Sequence, residues 1–225
     1  MKIILASGSP RRYDLLRQMG WNVKVHSLPF AEVETIDDAR VQLENLQKQF
    51  FLSGQGSHIF SEQDVALLSQ YKNADLVCAF NALGKGKATA LETGTETPVV
   101  SADTIVVLDN IILGKPADAA DAKRMLSMLS GRTHQVKTAA AVRYLNKTLL
   151  QVITTEVHFR TLTEPEIEWY AGTGEPMDKA GAYGIQGKGA VLVEKIEGSY
   201  DNVVGLPLTT VYEMFIRMGA LLPGE

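Results

Sequence analysis

Two patterns of apolar residues alternate along the chain, and together they predict a mixed α/β protein. Residues 2–6 form a short apolar run that stops at small and hydroxyl side chains, as a buried strand does. Residues 99–108 are apolar on both faces, which is typical of a central strand. Apolar positions recur with helical spacing over 10–19, 37–50 and about 77–91, so helices are expected there.

The same reading extends over the rest of the chain. Further strands are predicted at 21–27, 111–113, 134–145, 149–159 and 190–195. Further helices are predicted from a capping box at 61–64, from 118 to 129, after Thr163, and over 207–219. Gly84 and Gly86 weaken the helix at 77–91, because each costs about 1 kcal/mol relative to alanine. A Gly/Ser loop is predicted at 53–57, and no break in composition marks a linker, so residues 1–225 are interpreted as one domain.

The turn after the first strand has the composition of an anion site. Ser7 or Ser9 suits a helix N-cap, and Pro10 suits the first helical position. Arg11 and Arg12 then lie in the first turn, where the helix end is already partly positive. A phosphate chain over this turn would balance the charge. The alternative is a solvated helix start with two surface arginines.

Asp103 interrupts the most hydrophobic strand of the chain. A buried carboxylate is costly unless it is paired, hydrogen-bonded or metal-bound, so a functional role is favoured over an acid that faces solvent at a strand end. Such a group could hold Mg²⁺ or act as a general base on water. Glu32 and Glu34 share one face if their segment is extended, and their oxygens suit Mg²⁺ or Mn²⁺. From spacing alone, however, a solvated acidic loop is the better interpretation of those two residues.

Several basic and glycine-rich positions could also face a nucleotide. Lys115 lies in a Gly-Lys-Pro turn that could meet a phosphate, although lysine is usually solvated in turns. Lys85 and Lys87 are two positions apart, so on a helix at most one of them faces a given pocket. The four glycines between 181 and 189 allow close backbone approach to a ligand. Gln186, within that stretch, offers a donor and an acceptor to a base edge; the alternative is an irregular structural loop.

Composition narrows the class of protein. The chain is 45% hydrophobic and 21% charged, as ordinary globular proteins are. Its net charge of −4 and pI near 5.6 argue against a general nucleic-acid binder. Cys78 is the single cysteine, which rules out an internal disulfide, and no His/Cys cluster indicates structural zinc. The opening apolar run is too short for a signal peptide or a membrane span, so a cytoplasmic protein without a membrane partner is expected.

Taken together and in order, these segments resemble the Maf family of nucleotide pyrophosphatases. The matching segments are 7–12, the acidic loop ending at Glu34, 85–88, 101–104, 114–116, 130–134, 177–187 and 204–207. The resemblance covers nearly the whole chain. Residues 39–78 fit it poorly and are predicted to be an inserted helical segment.

The resemblance implies both a fold and an activity. The implied fold is an elongated α/β structure of the Maf/ITPase-like kind, with a central mixed sheet, flanking helices and a cleft between two lobes. The implied reaction is hydrolysis of a nucleoside triphosphate to the monophosphate and pyrophosphate with Mg²⁺ or Mn²⁺, which removes unwanted nucleotides. Modified pyrimidine nucleotides are among the open substrates. No stable nucleic-acid partner is implied, and whether the chain forms a homodimer is left open.

The resemblance also assigns roles to individual positions. Asp103 is the implied proton acceptor, and Glu34 is the implied acidic residue that holds metal with it. The implied polyphosphate-facing residues are Ser9, Arg11, Arg12, Lys87 and Lys115. Arg12, Thr104 and Gln186 match the set that marks the branch acting on dTTP and UTP.

Two other functions remain open at this point. One is a regulator of cell division or septum formation that binds nucleotide without turnover. The other is a pyrophosphatase of the same fold that acts on modified purine nucleotides. A panel of nucleoside triphosphates with pyrophosphate detection would separate the three.

Overall fold

A computed structural model describes residues 1–53 and 59–220 of the chain, which falls into two compact units. Unit 1 comprises Met1–Asp103, Ala139–Ile153 and Gly205–Glu225, and unit 2 comprises Thr104–Thr138 and Thr154–Val204. Residues 54–57 of the predicted Gly/Ser loop lie outside the described residues. The inserted segment predicted at 39–78 holds most of one helix, all of a second and the start of a third, and its status as an insertion stays a prediction.

The strands form one seven-stranded mixed sheet. They are β1 (Lys2–Leu5), β2 (Asn22–Val25), β3 (Val99–Leu108), β4 (Ile111–Leu113), β5 (Thr133–Tyr144), β6 (Lys147–Phe159) and β7 (Val193–Glu197). Their order is β2-β1-β3-β5-β6-β7, with β4 paired to β3. β1 is parallel to β2 and β3, whereas β3–β4 and β6–β7 are antiparallel. The predicted α/β class with a central mixed sheet is confirmed.

Eight α-helices accompany the sheet in the described residues. They are α1 (Pro10–Gln18), α2 (Ile36–Ser53), α3 (Glu62–Leu68), α4 (Asn73–Thr93), α5 (Ala119–Leu129), α6 (Glu164–Ala171), α7 (Tyr200–Val204) and α8 (Leu208–Met218). The predicted capping box is present, because Ser61 and Asp64 bond each other's backbone at the start of α3. Within residues 1–53 and 59–220, none of the helices combines the length and apolarity that a bilayer crossing requires.

The two interior glycines of α4 are explained by close packing within unit 1. A Cβ at Gly84 would overlap the ring of Phe30, and a Cβ at Gly86 would overlap the hydroxyl of Ser101 on β3. Ser101 also donates a hydrogen bond to the Ala82 carbonyl, with 2.7 Å between the oxygens. The helix therefore lies against its neighbours at a distance that only glycine permits. This close packing offsets the low helix propensity of the two glycines.

Each unit has its own apolar core. In unit 1, Trp21 packs on Phe215 of α8 with ring centroids 4.9 Å apart. In unit 2, the core gathers strands β3, β4, β5 and β6 with helices α5 and α6 around the fully buried Tyr170 and Leu126. Burial of these side chains is the main source of stability in both units.

The segment between α6 and β7 differs most from prediction. The strand predicted at 190–195 begins only at Val193, because Gly187–Leu192 forms a 3₁₀ turn. Two further 3₁₀ turns, Glu175–Asp178 and Ala180–Ala182, precede it. Gly181 adopts φ +68°, and a side chain there would press on Val106, so this glycine is required by the turn. The short helix α7 was also not predicted as a helix, since its sequence reads as a turn.

Candidate active site

Asp103 lies inside β3, with 7% of its surface exposed. The strand continues to Leu108, so the alternative of a solvated acid at a strand end is wrong. Its carboxylate accepts a hydrogen bond from the Lys85 ammonium at 2.7 Å and one from the Asn81 amide at 3.3 Å. A carboxylate in the protein interior is costly unless hydrogen-bond donors replace the water that it has lost, and Asp103 has two such donors.

Helix α4 supplies both of these donors from one of its faces. Asn81 and Lys85 are four positions apart, and residues at that spacing are neighbours on a helix surface. Lys87 lies two positions further on and points elsewhere. The contacts show that Lys85, and not Lys87, binds Asp103.

Lys87 belongs to a second charged cluster within unit 1. Its ammonium forms an ion pair with Asp64 of α3, which is 1% exposed. Arg143 of β5 approaches the other oxygen of Asp64 at 3.9 Å. Burial lowers the pKa of Lys87, and the contact with Asp64 opposes that shift. Lys87 thus has Asp64 as its observed partner, and its predicted contact with a polyphosphate stays a prediction.

The acidic loop that precedes α2 contacts this site through Glu32. A Glu32 oxygen lies 2.7 Å from the Lys85 ammonium, so this lysine bridges two carboxylates. Val33 between the acids is fixed to Asn81 by two hydrogen bonds of 2.9 Å. Glu34 is exposed, and it lines with Glu32 a cavity of about 1080 Å³ floored by phenylalanines. The structure thus joins Glu32, rather than Glu34, to Asp103.

The start of α1 presents the predicted arginines. Ser9 is the N-cap, and its side chain makes no capping hydrogen bond. The Arg12 guanidinium donates to the Gly205 carbonyl at 2.8 Å and to the Ser7 hydroxyl at 3.0 Å. Burial lowers the pKa of Arg12, while the charge of Asp103 raises it and that of Arg11 lowers it. Arg12 is therefore held in place within the electrostatic field of Asp103.

The remaining predicted residues belong to unit 2. Thr104 follows Asp103 on β3, and its hydroxyl lies 3.0 Å from that of Thr138. Lys115 is exposed in the turn after β4. That turn is tied to the glycine-rich stretch, because Gly181 donates to the Gly114 carbonyl at 3.0 Å. Gln186 is exposed within the same stretch, which places it and Lys115 on connected turns of one unit.

Comparison with known proteins identifies the family. A family model described as Maf-like protein matches residues 2–218. The chain belongs to the Maf family. It is similar over nearly its full length to relatives named dTTP/UTP pyrophosphatase. That of Dictyoglomus thermophilum is 43% identical over 97% of this chain and 96% of its own length. Those of Salmonella typhimurium and Bacillus cytotoxicus are 42% and 44% identical, over 97% and 92% of this chain and 94% and 90% of their own lengths.

The carboxylates of this Maf protein have the chemistry that a hard divalent cation requires. Asp103, Glu32 and Glu34 offer only oxygen ligands, which Mg²⁺ and Mn²⁺ prefer. In the described part of the chain these three do not converge into a three-ligand group, whereas Glu156, His158 and Glu197 of unit 2 do, within 4.8 Å. Lys195 already bonds Glu197 there at 2.5 Å. One or two carboxylates plus substrate phosphates usually suffice for Mg²⁺, so the Asp103 side fits the ion.

Sequence reasoning missed three contributors to this site. Ser7 was considered only as a cap, yet it accepts the bond that orients Arg12. Asn81 was not singled out, and Lys85 was passed over in favour of Lys87. The four-residue spacing of Asn81 and Lys85 is the signal that could have found them, because it puts an amide and an ammonium on one helix face.

Proposed function

We propose that this chain is a nucleoside triphosphate pyrophosphatase that hydrolyses dTTP and UTP to the monophosphate and pyrophosphate. The observation that carries the proposal is the buried Asp103, held by Lys85 and Asn81 within the field of Arg12. The names of its Maf relatives, which share about two fifths of their residues with it, support the same reaction and substrates.

In this proposal Asp103 acts as the general base. Lys85 and Asn81 occupy its two oxygens from one side and fix the orientation of the carboxylate. The carboxylate would take a proton from water as that water attacks the α-phosphorus, and pyrophosphate would leave. Such proton transfer contributes about 10²- to 10⁴-fold to a rate.

Positive groups would neutralise the charge of the triphosphate, which is the main demand of phosphoryl chemistry. The N-terminus of α1, with Ser9, Arg11 and Arg12, forms one such group, and Lys115 is the second. Mg²⁺ or Mn²⁺, held by Asp103 with Glu32 or Glu34, would add charge neutralisation at the phosphate oxygens when bound. Lys87 is left out of this set, because Asp64 already binds it.

Selection of the base is assigned to Gln186, with Thr104 and Arg12 from the set that marks the dTTP/UTP branch. A primary amide can pair with the N3–H and the carbonyl oxygen of uracil or thymine, since it carries both a donor and an acceptor. The edge of cytosine reverses this pattern, and an amide that is free to flip could pair with it, so selection against cytosine requires that the orientation of the Gln186 amide is fixed.

The deciding experiment is a panel of nucleoside triphosphates incubated with the purified protein and Mg²⁺ or Mn²⁺, with pyrophosphate and monophosphate quantified. We expect dTTP and UTP to be turned over well above CTP and the purine nucleotides. Binding of nucleotide without any pyrophosphate would establish a non-catalytic regulator instead. A preference for purine nucleotides would establish a pyrophosphatase with another substrate.

The two lysines of α4 provide a matched pair of variants for the same assay. Lys85→Met should lower kcat for UTP about 100-fold, because it removes a charged donor from the catalytic carboxylate. Lys87→Met should leave kcat near that of the wild-type protein at a temperature where it is folded. The opposite ranking would return Lys87 to the site.

A further inference from the structure

The turn that carries Gln186 is closed on itself. A Cβ at Gly189 would overlap the Gly184 carbonyl oxygen and would lie 2.6 Å from the Tyr170 hydroxyl, so the two ends of segment 184–189 meet. Gly187, next to Gln186, adopts φ +63°, which a side chain would oppose. Gln186 is exposed near the middle of this closed turn. Its direction is therefore set by whatever holds the two ends together.

Two side chains outside the turn hold those ends. The Glu175 carboxylate accepts hydrogen bonds from the backbone N–H of Lys188 at 3.1 Å and of Gly189 at 3.2 Å. Tyr170 donates its hydroxyl to Glu175 at 3.0 Å and accepts from the Gly184 N–H at 3.1 Å. One carboxylate and one phenol thus close the turn from both sides.

The chemistry of this clamp requires a carboxylate. Three donors converge on the two oxygens of Glu175, and an amide in its place would turn an NH₂ group toward at least one of them. Hydrogen bonds to an ionised acceptor are also about twice as strong as neutral ones. Burial, together with the charge of Glu175, raises the pKa of Tyr170, so the phenol keeps the proton that it donates.

We infer that Glu175, assisted by Tyr170, is a positioning residue for base selection, which aims the Gln186 amide at the edge of the pyrimidine. This inference rests on the proposed function for its substrate. It adds a residue that touches neither the phosphates nor the base and acts through Gln186 alone. Replacing Glu175 should therefore lower the selectivity for UTP over CTP only in a protein that still carries the Gln186 side chain.

The test is a double-mutant cycle with Glu175→Gln and Gln186→Ala, in which kcat/KM for UTP is divided by kcat/KM for CTP. Each single variant should lower this ratio about tenfold, the effect of losing one hydrogen bond to a charged or buried group. The double variant should lower it no further than Gln186→Ala does. Equal, additive losses in the double variant would overturn the inference, as would an unchanged ratio in either single variant.

Glu166→Gln is the matched control. Glu166 is also a glutamate of unit 2 whose carboxylate accepts a backbone N–H, that of Thr163 at 2.8 Å, and it pairs with Arg160. Losing these bonds should lower stability without changing the UTP/CTP ratio. If Glu166→Gln shifts the ratio as much as Glu175→Gln, the effect is general loosening and the inference fails.

Two further measurements keep the inference separate from the proposed function. Amide hydrogen exchange at Lys188 and Gly189 needs no substrate, and it should accelerate about tenfold in Glu175→Gln. Unchanged exchange would refute the clamp even in an active enzyme. Tyr170→Phe should lower the UTP/CTP ratio in the same direction, and an unchanged ratio there would contradict its part in the clamp. Wild-type protein that leaves UTP and dTTP intact would refute the proposed function, and with it the selective role, whatever the exchange data show.

Discussion

Helix α4 binds two buried aspartates through two lysines, and the surroundings of the two pairs are opposite in charge. At Asp103, one ammonium lies between two carboxylates, because Lys85 also binds Glu32. At Asp64, one carboxylate lies between two cations, because Arg143 approaches beside Lys87. Among the groups that directly contact each lysine–aspartate pair, acids outnumber bases in the first cluster and bases outnumber acids in the second, while the charge of Arg12 also acts on Asp103.

The clusters also differ in how they meet solvent. The Glu32 side chain is 48% exposed and lines a cavity, so the Asp103 cluster meets solvent at Glu32. Asp64 is instead tied into the capping box of α3 through Ser61. Burial alone therefore does not distinguish a candidate catalytic carboxylate from a structural one. The Asp103 cluster is distinguished by a second, exposed carboxylate, that of Glu32, which can meet a metal ion and water.

The largest expected effect separates the two aspartates by activity. Asp103→Asn should reduce kcat about 1000-fold, because it removes the general base while nucleotide binding survives. Its unfolding free energy should change little, since Lys85 keeps Glu32 as a partner. Pyrophosphate release and chemical denaturation measure the two quantities. Near-normal turnover in this variant would remove Asp103 from the mechanism.

The next effect separates them by stability. Asp64→Asn should lower the unfolding free energy by about 3 kcal/mol, because it leaves the buried Lys87 and the half-buried Arg143 without their shared counterion. Urea unfolding measures the loss, and Asp103→Asn is its control. At a temperature where the variant is folded, its kcat for UTP should match the wild-type value. A stable but inactive Asp64→Asn protein would reverse the comparison.

The smallest effect is a difference in pH dependence. Burial lowers the folded-state pKa of Lys87 below the ordinary value of 10.5. Between the lowered value and 10.5 the unfolded chain binds more protons, so the unfolding free energy should rise with pH in that window and be reduced below it. Denaturation curves of Lys87→Met should lack this rise in the pH range just below 10.5. An equal rise in the variant would assign it to another group.

The sequence could predict the strands and most helices and could single out Asp103 as a candidate, because these follow from local patterns. Periodicity identifies β3, and a lone acid in an apolar strand stands out by its cost. The ion pairs of Asp64 were not predicted. The capping box explains Ser61 and Asp64 locally and gives no sign that Lys87 or Arg143 is nearby. Those partners come from distant parts of the chain and meet only in the folded unit.

The choice between Lys85 and Lys87 illustrates the same limit at closer range. Both suit a phosphate by residue type, and sequence spacing shows only that they face different ways. Which one meets Asp103 depends on the rotation of α4 about its axis, which packing sets. The structure of the glycine-rich segment was difficult to predict for a related reason. Hydrogen bonds with Glu175 and Tyr170 stabilise it, and no repeating sequence pattern marks them.

The close packing of α4 on β3 at Gly86 limits which residues this enzyme can carry at that position. A methyl group there would meet the hydroxyl of Ser101, which lies two residues before Asp103 on the same strand. Helix α4 would have to move away from β3, and the ammonium of the neighbouring Lys85 would move away from the Asp103 carboxylate. Gly86, which has no functional group, thus governs the spacing between Lys85 and Asp103, and even a single added carbon is expected to be poorly tolerated there.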